Sequence, residues 1–203
     1  KTHAEGGDRA VLVPAAMVAA TLGSAGLAEG GRAPGTRAKA VAMLRAELFK
    51  AREYAEKLKG PDDKRPPRDL RLDTLAQVIR GELPLLVTAQ RAHDLLAALR
   101  LAQEFGIRVV LDGAAEAHLV ADRIKAAGVP VIVHPAMARP VGDAENLTLE
   151  NAALLRKAGI QIALQSGFES YVPKTRVVLF EAALAAARGL GCLLYTSPSP
   201  RDS

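Results

Sequence analysis

Tryptophan is absent from this 203-residue chain, cysteine occurs once and aromatic residues make up only 3%. With so few rings to stack on bases, and with basic residues scattered over helices (densest at Lys57-Leu58-Lys59 and Lys64-Arg65), nucleic-acid binding is not expected. The balance of 27 Lys and Arg against 22 Asp and Glu gives +5, which reads as a solvated surface. No apolar run reaches the roughly 18 residues of a membrane span, and the stretch from Ala10 to Leu22 is broken by Pro14. No membrane span is expected. The first residue is Lys1 rather than Met and no signal-peptide pattern follows it, so the natural N-terminus is expected to lie upstream, and the compartment is not legible.

The other end also looks foreign. Cys192-Leu193-Leu194-Tyr195-Thr196-Ser197-Pro198-Ser199-Pro200-Arg201-Asp202 resembles the translation of a transposase sequencing adapter, so residues 192–203 are expected to be artefactual and residues 1–191 to carry the fold. Setting them aside removes the one cysteine. The remainder then has no disulfide, no thiolate ligand and no cysteine nucleophile.

At 49% hydrophobic and 24% charged residues, the chain has the composition of an ordinary α/β protein with one core. Residues 1–34 carry six glycines and read as a loop segment with one possible short helix at residues 15–22. Thr36 then caps a long helix, in which Val41, Leu44, Leu48, Ala51, Ala55 and Leu58 recur at helical spacing and form a core-facing stripe. Gly60-Pro61 stops it, residues 62–68 form an exposed connection, and a shorter helix runs from Leu70 to Arg80.

From Pro84 onward one pattern repeats four times: a short apolar strand, a polar turn and an Ala/Leu-rich helix stopped by glycine. Strands are expected near residues 84–88, 107–111, 129–133 and 160–165, with helices ending at Gly106, Gly128, Gly159 and Gly189. Such alternation makes a parallel sheet with right-handed crossovers. Runs such as Val129-Pro130-Val131-Ile132-Val133 lack polar alternation, which predicts burial on both faces. The periodicity fits either an open doubly wound sheet or half of a (β/α)8 barrel. No G-x-G-x-x-G follows a strand, which argues against a dinucleotide site.

In either architecture the ligand end is where the strands finish. The loops there offer Thr88, Gln90, Arg91, His93 and Asp94 in the first unit, Asp112 and Glu116 in the second, His134 and Arg139 in the third, and Gln165, Ser166 and Glu169 in the fourth. Asp112 and Glu116 are the candidate catalytic carboxylates. Gln90, Arg91, Arg139 and Glu169 are candidates for holding a small-molecule substrate. His134 directly follows its strand and can serve as ligand or general base, or simply bond loop backbone. His93 and His118 lie in first turns of helices, where a surface role is expected, and Arg91 and Asp94 can pair around their own helix start.

These residues also carry a family resemblance. Thr36-Arg37 before the long helix, Gly81-Glu82-Leu83-Pro84 before the first repeated strand, Arg91-Ala92-His93-Asp94 after it, Glu116-Ala117 and Ala127-Gly128-Val129-Pro130-Val131-Ile132 together resemble the imidazolonepropionase-related branch of the amidohydrolase superfamily. The likeness runs over nearly all of residues 1–191 as many moderate matches. It implies that these units are the C-terminal part of a (β/α)8 TIM-type barrel, making residues 1–191 a partial amidohydrolase-like barrel domain.

The same resemblance implies a divalent metal, usually zinc, that activates water for attack on non-peptide carbon–nitrogen bonds such as those of cyclic amides. The family's ligands are a His-x-His pair on the first strand, histidines after the fifth and sixth, and an aspartate after the eighth. The His-x-His pair, if present, is expected to lie upstream of this chain, and at the other positions this chain departs from the pattern. Where relatives have His-Ala-His-Arg it has Thr88-Ala89-Gln90-Arg91, in place of the next histidine it has Gly113, and in place of the aspartate it has Gly167. Either His134, Asp112, Glu116 and Glu169 build a different metal site, or the barrel holds no metal and acts as a binding or structural module.

Overall fold

The computed structural model describes residues 13–27, 33–61, 63, 65–169, 172–173 and 175–190, with the side chains of 168–169, 172–173 and 175 left out. The adapter-like tail therefore lies outside the described residues. The elements run β1 (Val18–Thr21), α1 (Arg37–Leu58), α2 (Leu70–Ile79), β2 (Leu85–Ala89), α3 (Ala92–Phe105), β3 (Val109–Gly113), α4 (Ala121–Ala127), β4 (Val131–Val133), α5 (Asn151–Lys157), β5 (Ile162–Leu164), a small hairpin of β6 (Phe168–Glu169) and β7 (Val172–Pro173), and α6 (Val178–Ala185). Strands β1 to β5 form one sheet in sequence order, and every neighbouring pair is parallel. No helix of the described residues is long and apolar enough to cross a membrane.

The four expected strands are all present, parallel and adjacent, and each leads on to a helix. Three of them begin about two residues later than the apolar runs do, for one repeated reason. After Gly106, Gly128 and Gly159, all at positive φ, the next residue is still tied to its helix: Ile107 N–H donates to the Ala102 carbonyl, Val129 to Ile124 and Ile160 to Leu155. Ile107, Val129 and Ile160 are buried by that closure and join the core cluster, the hydrophobic contact that accompanies a glycine-stopped helix.

Two expectations are corrected. Residues 15–22 hold no helix. Val18–Thr21 is a fifth strand, paired in parallel with β2 from Val18 beside Leu85 to Thr21 beside Thr88, and flanked by Val18 N–H to Pro84 O and Leu22 N–H to Thr88 O. An apolar run this short cannot stabilise an isolated helix, whereas a parallel partner pairs its backbone, buries Leu22 and lets Val18 and Ala20 pack against the core. Burial in the sheet also alternates instead of being equal on both faces. Leu85, Val87, Ala89, Val109, Leu111, Gly113, Val131 and Val133 are buried, while the residues between them are half-buried. With period two along a strand, the register sets Thr21, Thr88, Asp112, Ile132 and Ala163 side by side on the less covered face.

Helix α1 forms as its pattern predicts. Thr36 Oγ1 accepts from Lys39 N–H at its start, and Leu48, Ala51 and Ala55 are buried. Tyr54, Ala55 and Ala76 make a small second core between α1 and α2, closed by Tyr54 O–H donating to Asp73 at 2.8 Å.

Candidate functional site

The strand ends of β2 to β5 carry most of the polar groups predicted to be functional. Asp112 lies beside Thr88 in register. Thr88 Oγ1 donates to one Asp112 carboxylate oxygen at 2.7 Å and Gln165 Nε2 to the other at 2.8 Å. Two neighbours on separate strand ends therefore hold this carboxylate in a fixed orientation.

The second candidate carboxylate, Glu116, is held more firmly. It is only 6% exposed, and its oxygens accept from Ala92 N–H at 2.7 Å, Asn146 Nδ2 at 2.8 Å and Arg91 Nη1 at 3.1 Å. Burial alone would raise its pKa, but the Ala92 amide, Asn146 and Arg91 together outweigh burial and hold it below the usual glutamate value. A carboxylate kept ionised by three donors satisfies the start of α3 and ties that turn to the loop after β4. Holding the ionised form lowers its basicity toward a water molecule.

Arg91 extends the same lattice. Besides Glu116 it reaches the Gly142 carbonyl at 3.1 Å and Glu145 at 2.8 Å. Alongside it, Arg37 pairs with the buried Asp94 and with Asp143 at 2.5 Å, and Asp143 also accepts the amide and hydroxyl of Ser24, each at 2.7 Å. The lattice thus joins the turn after β1, the starts of α1 and α3, and the loop between β4 and α5. Gly23, at φ 91, sits where an added Cβ would crowd Asp143, Asp94 and Arg37.

Asp143 predicts a pH response. Burial pushes its carboxyl up, but the Ser24 amide, Arg37 and the Ser24 hydroxyl outweigh that and bring it from 3.8 down to about 2. A carboxyl depressed in the folded state contributes stability above its unfolded pKa and loses it as pH falls through the folded value. Melting temperature is therefore expected to drop between about pH 4 and pH 2, and Asp143→Asn is expected to flatten that part of the profile. An unchanged profile in the variant would contradict this assignment.

His134 is buried at 6% exposure. Its Nδ1 lies 3.0 Å from the Pro135 carbonyl, which can only accept, so Nδ1 carries the proton and Nε2 presents a lone pair. That Nε2 is buried and meets no partner at good hydrogen-bond geometry among the described residues, although the Thr148 backbone lies close enough to act on the ring. Burial pushes the ring's pKa below 6.5, against the opposing pull of the Pro135 and Thr148 backbone and of Glu181. Glu181 is itself buried, with its carboxylate accepting from the Ala136 and Met137 amides. Between them lies a cavity of about 10 Å³, bordered by Thr148 and Gln165, room for about one water molecule.

The remaining candidates are not gathered into one site. Gln90 points back to its own rim: Oε1 accepts from Ala115 N–H at 3.1 Å and its carboxamide fills the space over Gly113, where an added Cβ would collide with it. Arg139 is exposed on the loop after β4, His93 is exposed beside Asp94 and His118 is half-buried. Glu169 belongs to β6, and its side chain lies outside the described atoms. Sequence reasoning missed Asp143, Asn146, Asn151 and Glu181. Asn151 is fully buried and donates to the Ala114 carbonyl at 2.9 Å, bracing the turn after β3 in which Ala114 takes a positive φ of 52°. No local pattern announces these residues, because their partners lie 30 to 119 residues away in the chain.

Five parallel strands in sequence order, with helices on one face and polar groups gathered at the strand ends, are the architecture of part of a (β/α) barrel. Comparison with solved structures agrees. The chain superposes on an amidohydrolase from Thermotoga maritima MSB8 with a TM-score of 0.81 and 24% sequence identity, over 96% of this chain and 50% of that one. The fold is therefore that of part of a (β/α) barrel, similar to the one in that neighbour, and the chain spans half the length of that neighbour. No family model matches the chain. No curated protein matches it either.

A zinc site of the kind the sequence resemblance implies does not fit these residues. Thr88 donates to Asp112, Gln90 fills the space over Gly113, and Pro135 stands where any side chain on Gly167 would go. Among the described residues no group of three or more His, Cys, Asp or Glu converges as a metal site. Catalytic zinc normally keeps three protein ligands.

Proposed function

We propose that this chain is an amidohydrolase-fold segment that works as a binding or structural domain rather than as a metal-dependent hydrolase. The observation that carries this reading is the engagement of Asp112, whose two oxygens each accept a hydrogen bond from a neutral neighbour, Thr88 and Gln165, at the strand ends. Glu116 acts as an anchor for the start of α3, and Arg91 works with it. Gln90 and Asp112 pack the rim they stand on. A small molecule rather than nucleic acid is the proposed ligand of the strand-end face.

The likeness to the Thermotoga amidohydrolase favours a second reading. Under it the chain belongs to the imidazolonepropionase-related branch and hydrolyses cyclic amides, with His134 as a ligand and Asp112 or Glu116 as the base that takes the water proton. An assay of the purified chain against a panel of cyclic amides, with and without added zinc, separates the two. No zinc-dependent turnover above the buffer rate is expected. Turnover that requires zinc and is lost in Asp112→Asn would establish the hydrolase.

A further inference from the structure

The opposite end of the sheet carries a feature that the strand-end cluster does not use. At the N-terminal ends of β3 and β4, between α3 and α4, lies a groove of about 900 Å³. Its floor is apolar, with Leu96, Leu99, Ala102, Val110, Ala126 and Pro130 contributing. Arg100, Arg108 and Arg123 rim it, all three exposed, and no aspartate or glutamate lines it.

Two of the three arginines have no partner within the described fold. Arg108 caps the Gly81 and Glu82 carbonyls through Nη2. Arg100 and Arg123 have no ion pair or hydrogen bond among the described residues, although Arg37, Arg45, Arg68, Arg71, Arg80 and Arg91 all pair with acids. Complementing a helix C-terminus does not account for them either. The last turn of α3 holds no basic residue, and in α4 that place belongs to Lys125. Guanidinium groups left unpaired around apolar surface favour a partner that brings both carboxylates and apolar side chains.

We propose that this groove docks an acidic amphipathic segment of a partner protein, laid with its apolar face between α3 and α4 and its carboxylates against Arg100, Arg108 and Arg123. The groove is open to solvent and flanked by two helices, the setting in which an amphipathic segment seats its apolar face. The proposal is independent of whatever the strand-end cluster does.

The test uses the full chain and a fluorescently labelled peptide of about twelve residues with glutamate on one helical face and leucine on the other. A control peptide carries lysine in place of glutamate. The acidic peptide is expected to bind and the lysine peptide not to, with binding weakening as salt rises. The double variant Arg100→Glu/Arg123→Glu is expected to bind about tenfold or more weakly while melting at the wild-type temperature. If that variant does not fold, Arg100→Gln/Arg123→Gln serves instead, with a several-fold loss expected. Failure of the acidic peptide to bind, equal binding of the two peptides, or full affinity in a folded variant would each overturn the proposal.

Discussion

Glu116→Ala is expected to destabilise the chain by about 3 kcal/mol, from two donors left without partners at roughly 1–3 kcal/mol each. Those donors are the Ala92 amide at the start of α3 and the Asn146 carboxamide in the loop after β4. Arg91 is not stranded, because Glu145 and the Gly142 carbonyl remain within its reach. Glu116→Gln keeps the shape and one good acceptor, so it is expected to cost about half as much. Urea unfolding of both variants measures the difference. Were Glu116 a catalytic base instead, the glutamine variant would keep full stability and lose only turnover.

Gly167→Ala is expected to cost about 2–4 kcal/mol, the sum of overpacking and an unfavourable backbone conformation. Gly167 sits at φ 70, and an added Cβ would lie 2.5 Å from Pro135 Cγ. A proline ring cannot swing aside as the end of a long side chain can. Gly113→Ala meets a different neighbour, the Gln90 carboxamide. That group can rotate away once it gives up its bond to the Ala115 amide, so this change is expected to cost less. Equal tolerance of both substitutions in thermal unfolding would contradict the packing described for the two strand ends.

The sheet was legible because its signals are local. Each βα unit announces itself with an apolar run and a glycine, and the residues after Gly106, Gly128 and Gly159 take the capping bonds such glycines favour. Strand β1 was not legible. Its stability comes from Leu85 to Thr88, more than sixty residues away, and nothing in Val18-Ala19-Ala20-Thr21 itself separates a strand from a turn of helix. The site was half legible for the same reason. Among the strand-end positions, Thr88, Asp112 and Gln165 contact one another, and Arg91 contacts Glu116. Whether those groups face a ligand or each other depends on pairings such as Arg37 with Asp143, 106 residues apart.

These pairings make a claim that metal analysis tests. His134 offers one buried lone pair, Glu181 beside it is engaged by two amides, and Asp112 is engaged by Thr88 and Gln165. One imidazole falls short of the three protein ligands of a catalytic zinc. Elemental analysis of the chain purified without chelators, together with His134→Ala, is therefore expected to find no stoichiometric zinc in either protein. Zinc bound one to one in the wild type and lost in His134→Ala would contradict the account.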